Sequence, residues 1–163
     1  MSFGNRRKTD FLDKFPSASI DSDNDKLASK CKFNFSYFVK DQEAGQDFRD
    51  WTNEQLVKLM EKLVFYSNET LEHWERKPIG KKKGHILEVY DTFPKKSDFT
   101  HPKHVPHQVK WARFRLESSV RLVGFVIPDE YNQKKQDSSG YHFCSNTFYV
   151  VFLDKDHKFY KTK

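Results

Sequence analysis

For about thirty residues the chain is polar and poorly periodic (NRRKTDFLDKFPSASIDSDNDKLASK), with no spacing that would bury a face. A pattern begins at CKFNFSYF, where Phe33, Phe35 and Tyr37 alternate with Asn34 and Ser36, the period of a half-buried strand. After DQEAGQD, Leu56, Leu59, Met60, Leu63 and Val64 recur at helical spacing. Thr52 followed by Gln55 three residues later marks that helix's start as a capping box. Ser67 or Asn68 is expected to cap a second, shorter helix, ETLEHWER, which Pro78 ends. The stretch IGKKKGHILEVYDTFPKKSDFTHPKHVPHQ reads as loop, with room for a short element at HILEVY. In VKWARFRLES, Trp111, Arg113 and Arg115 share one strand face and Ala112, Phe114 and Leu116 the other. SSVRLVGFVI is apolar nearly throughout, Arg121 interrupting it. Residues 128–146 form a polar hairpin connection to the last strand, Phe148 to Leu153, which turns abruptly into Asp154, Lys155, Asp156, His157 and Lys158.

This order predicts an α+β fold: an antiparallel sheet of about four strands with two N-terminal helices packed on one face. Residues 1–30 form a polar arm and residues 31–163 a single domain, with no internal repeat.

Composition narrows the partners. Lys and Arg number 29 against 23 Asp and Glu, a net charge of +6, which suits an anionic partner such as nucleic acid. Aromatic residues make up 16%, enough both to fill a core and to leave rings for stacking on bases. Two cysteines, Cys31 and Cys144, make no disulfide framework and no metal quartet. With no apolar run of membrane-spanning length and no signal-peptide pattern, a soluble cytoplasmic protein is expected. Gly-x-Ser-x-Gly, His-Glu-x-x-His and Walker patterns are absent, and no cofactor is expected.

Candidate chemistry gathers at the two ends of the last strands. Arg113, Arg115 and Arg121 converge if their strands pair through Glu117–Ser119; planar, permanently charged groups then suit a phosphate. The alternative is a solvated face partly neutralised by Glu117. His157 could move a proton near neutral pH if the last strand lies beside the one carrying Arg121; alone, it is an ordinary surface histidine. Tyr160 is a candidate stacking platform, Lys155 and Lys158 add positive potential, and Lys110 and Trp111 complete the candidate substrate contacts. His101, His104 and His107 invite a zinc reading, but Pro102 and Pro106 prevent a helix that would align the rings, so no metal is assigned. Lys81, Lys82 and Lys83 read as a solvated loop or a phosphate-steering patch.

WARFRLESSVRLVGFVI followed by FYVVFLDKDHKFY resembles the second half of the RelE/ParE superfamily of bacterial toxins, in its RelE-like and YoeB-like branches. The likeness extends over roughly residues 33–160, its specific part over about thirty of them. It implies a small sheet-and-helix endoribonuclease of a type II toxin–antitoxin system that cuts messenger RNA by attack of the ribose 2′-hydroxyl on the adjacent phosphate. The ribosome and an antitoxin protein are the further partners it implies, with no membrane involved. Carried over, Arg121 would hold the scissile phosphate, His157 would be the general acid, and Arg113 or Arg115 would support the charge. Glu88 is the candidate base. The tyrosine that follows the histidine in YoeB-like proteins is replaced here by Lys158, with Tyr160 two residues further on. The arm, the 77–110 loop and the 128–146 insertion are also departures. The alternative function is a non-catalytic protein- or nucleic-acid-binding module of the same fold, ParE-like or regulatory; a zinc-stabilised domain is a third reading.

Overall fold

The computed structural model describes residues 6–15, 19–22, 26–81 and 83–162. Lys82, the middle of the lysine triplet, lies outside them. Five strands form one mixed sheet: β1 (Lys32–Asn34), β2 (Leu87–Tyr90), β3 (Lys110–Arg115), β4 (Arg121–Val126) and β5 (Thr147–Asp154). Their spatial order is β1-β5-β4-β3-β2; every pairing is antiparallel except β1 with β5, which is parallel. The sheet therefore has five strands rather than about four, and HILEVY supplies the additional edge strand.

The helices are α1 (Arg6–Leu12), which buries no residue, α2 (Asn53–Tyr66) and α3 (Leu71–Arg76). Only α2 and α3 pack on the sheet, and they lie between β1 and β2 in the chain rather than ahead of the strands. The capping box of α2 is complete: Gln55 N–H donates to Thr52 Oγ1 (3.2 Å) and Thr52 N–H to Gln55 Oε1 (2.9 Å). Leu59, Leu63 and Tyr66 turn inward, while Met60 and Val64 face out. The cap of α3 is Thr70, whose side chain accepts from His73 N–H; Ser67 instead closes α2 through its bond to the Leu63 carbonyl.

β1 is shorter than its alternation suggests. The Asn34 side chain accepts from both the Ser36 N–H (2.9 Å) and the Ser36 hydroxyl (2.6 Å), a local turn that competes with the ladder. Phe33 stays on the helix side of the sheet, whereas Tyr37 crosses to pack edge-on against Phe125 and Tyr149.

Both sheet faces are buried. On one, α2 and α3 cover Phe114, Leu122, Phe148 and Leu153. On the other, the connection between β2 and β3 sends Phe93, Phe99, Val105 and Val109 onto Trp111, Val123 and Phe152, and Phe159 closes the cluster from beyond β5. The register shifts between Val123 and Gly124, leaving Val151 as a bulge, so Val151 and Phe152 both contribute to this second cluster. A segment that reads as polar loop thus supplies the second layer of the core.

Candidate functional site

The 116–120 turn between β3 and β4 sets the site's geometry. Arg115 and Arg121 face each other across the first rung of the hairpin, and Asp154 lies opposite Arg121 on β5. Two like charges on one rung repel. Arg121 is 6% exposed, and its Nη1 donates to the carbonyls of Glu117 (2.8 Å), Ser118 (3.0 Å) and Val120 (2.9 Å). Burial, then the charges of Arg113 and Arg115, push this guanidinium down to about 10, still protonated at neutral pH. One amino group of Arg121 thus organises the turn, and only the rest of the guanidinium can face a ligand.

Arg113 projects from the same face. Its Nη1 meets His157 Nε2 at 2.8 Å, and its guanidinium carbon lies 5.7 Å from the Tyr160 ring centre and 5.9 Å from that of Tyr90. Tyr90 and Tyr160 stack at 5.0 Å, nearly parallel. Because an arginine only donates, His157 Nε2 is the acceptor in this contact and the imidazole is neutral. Burial first, then Arg113 and Arg121, hold it below the ordinary histidine value. A cavity of about 80 Å³ is lined by Arg113 together with Lys83, His85, Glu88, Arg115 and Arg121. Glu88 lies opposite Arg113 in the β2–β3 register and accepts from the His85 N–H (2.7 Å).

The loop that presents His157 is held firmly. Asp154, fully buried, accepts from the Lys158 N–H and the Phe159 N–H (both 2.9 Å), and Phe159 is fully buried. Ser119 donates to the Lys155 carbonyl, tying the arginine turn to the end of β5. The backbone beyond is pinned by Asp98 N–H to Lys158 O and Lys161 N–H to Lys96 O (both 3.1 Å).

Arg113, Arg115, Arg121, His157, Tyr160 and Glu88 are therefore brought to one corner, with Lys83 of the lysine triplet; Trp111, Lys110 and Lys155 lie elsewhere. Trp111 is 1% exposed and encased by Phe93, Phe152 and Phe159, so it belongs to the core and offers no face to a substrate. Lys110 opens β3 at the opposite end and lines a groove with Glu72, Glu75 and Asp129. Lys155 lines the α2 side with Lys58 and Glu117. The Lys158 ammonium lies 3.8 Å from Asp156.

The histidine triplet is divided. His101 and His107 stack at 4.6 Å, while His104 lies over Tyr37. Among the described residues no group of three or more His, Cys, Asp or Glu is arranged to hold a metal ion. None of the described helices is long and apolar enough to cross a membrane. Tyr90, a wall of the corner, was missed by the sequence reading; its signal was its place on the strand HILEVY, two residues after Glu88 and on the same face. No family model, curated protein or solved structure matches the chain.

Proposed function

We propose that the Arg113–His157 corner binds a phosphate of single-stranded RNA and that the protein cuts the chain there by transesterification. The observation that supports this most is the 2.8 Å contact between an arginine and a neutral histidine, inside a corner that carries two further arginines. Three arginines, Arg113, Arg115 and Arg121, face two carboxylates, Glu88 and Asp154, so the corner's positive charge is only partly offset from within.

In this reading Arg113 and Arg115 grip the non-bridging phosphate oxygens. Moving to the phosphate frees His157 Nε2 from Arg113, and the imidazole accepts the ribose 2′-hydroxyl proton. The 2′-oxygen bonds to phosphorus, the bond from phosphorus to the 5′-oxygen breaks, and that oxygen takes a proton from solvent. The products are a 2′,3′-cyclic phosphate and a 5′-hydroxyl. His157 then starts as base rather than as the general acid implied by the toxin resemblance, because its proton affinity is lowered and its Nε2 accepts. Arg121 serves chiefly to fix the turn that carries the others.

The test is a defined messenger RNA incubated with and without translating ribosomes, using the wild type, Arg113→Ala and His157→Ala. Cyclic-phosphate ends from the wild type, reduced at least ~100-fold in both variants, are expected. Bound but uncut RNA in every condition would remove the chemistry and leave the binding module. Unbound RNA would remove both.

A further inference from the structure

A second concave site lies at the other end of the sheet. Phe125 stands four residues along β4 from Arg121, roughly 13 Å at a strand's rise. Here a cleft of about 420 Å³ opens between the sheet, the 106–109 segment and the insertion that joins β4 to β5. That insertion is an ordered ribbon: Gln133 N–H bonds Phe143 O, Phe143 N–H bonds Lys134 O (both 2.9 Å), and Gln136 N–H bonds Tyr141 O (2.8 Å). It stands at the sheet's end and carries its own rings.

Six aromatic side chains line the cleft: Tyr37, Phe125, Tyr131, Tyr141, Phe143 and Tyr149. Phe125 and Tyr149 stack across β4 and β5 at 4.8 Å and 6°, with Tyr37 edge-on to both. Tyr131 and Phe143 meet at 80°, and Tyr141 stands at the rim, 80% exposed. Rings presented both flat and edge-on enclose a planar guest better than a flexible chain. Between them lie two carboxamides. Among the described residues that of Gln108 has no hydrogen-bond partner, while Gln136 uses only its oxygen, accepting from Ser139. A carboxamide offers a donor and an acceptor side by side, the complement of a nucleobase edge.

Charge decides the class of guest. The lining holds no carboxylate, and the Lys134 ammonium sits 5.6 Å from the Tyr131 ring centre, beside Lys135. Within the lining itself no carboxylate would pair with a cationic guest, whereas a neutral base needs no such partner. We propose that this cleft binds one unstacked nucleobase, its faces against the aromatic walls and its edge toward Gln108 and Gln136. The site stands on its own contacts and holds whether or not the arginine corner cuts RNA.

Isothermal titration with adenosine, AMP, CMP, GMP, UMP and ribose 5-phosphate tests it, using the wild type, Tyr141→Ala, Gln108→Ala and Arg113→Ala. Tyr141 and Gln108 are exposed, so both changes leave the core untouched. Adenosine and at least one nucleotide are expected to bind the cleft, and any ribose 5-phosphate that binds is expected to be released by Arg113→Ala and not by Tyr141→Ala. Adenosine affinity should fall about tenfold in Tyr141→Ala, fall also in Gln108→Ala, and stay unchanged in Arg113→Ala. Three results would overturn the proposal: no nucleoside or nucleotide binding, ribose 5-phosphate binding that weakens in Tyr141→Ala as nucleotide binding does, or adenosine binding lost in Arg113→Ala but kept in Tyr141→Ala.

Discussion

His157 sits in the left-handed backbone region (φ 58°), which histidine enters more readily than branched residues, and its ring faces a guanidinium rather than a carboxylate. The pairing has a measurable sign. The folded state lowers the proton affinity of His157, so the unfolded chain takes up this proton at higher pH. The stability that the neutral ring contributes is complete above its ordinary value of 6.5 and is lost as pH falls through that value toward the depressed one. Melting temperature should therefore drop as pH is lowered through 6.5 and below, and drop less in His157→Gln. In Arg113→Ala the ring should titrate at higher pH, followed by its NMR shift. Unchanged titration would mean that burial and Arg121, without Arg113, set the value.

At the scale of elements, the end of β5 depends on Asp154, which closes the 155–159 loop and faces Arg121. Asp154→Ala should cost about 3 kcal/mol in urea unfolding, because two N–H groups lose their acceptor and Arg121 loses a neighbouring opposite charge. Gly124 answers to a different constraint. A Cβ there would lie 2.0 Å from the Tyr149 carbonyl oxygen, beside the bulge. Gly124→Ala should destabilise by about 3 kcal/mol, and a smaller loss would show that the bulge can slide.

The elements were unequally legible in the sequence. Helix α2 was readable because its cap and its period agree, and β3 and β4 because alternation and the arginines mark their faces. β1 was overread: an Asx turn at Asn34 ends it while the aromatic alternation runs on. β2 was short, and Glu88 and Tyr90 carried its meaning by register alone. That His157 lies near the strand carrying Arg121 could be guessed from chain order; that it meets Arg113, one strand further on, could not. That Arg121 spends one amino group on turn carbonyls could not, since backbone acceptors leave no mark in side-chain spacing. Nor could the aromatic cleft, whose rings come from four separate segments.

For the whole molecule, the burial of both sheet faces separates what is essential from what is added. Helix α1 buries nothing, and its Phe11 packs on Phe15 just beyond the helix, both rings exposed. Removing residues 1–25 should leave stability within about 0.5 kcal/mol, measured by urea unfolding. A larger loss would show that the arm docks. The strand order carries a consequence in time. β5 lies between β1 and β4 in space but is the last strand in sequence, and its partner β1 precedes it by more than a hundred residues. During synthesis, then, β1 emerges with nothing to pair with and β4 waits with an open edge. Until residues 147–154 leave the ribosome the sheet cannot close, and the apolar side chains of both faces stay exposed. Such long-range closure is slow and sensitive to crowding. In the cell, the vulnerable form of this protein is the nascent chain just short of its final strand.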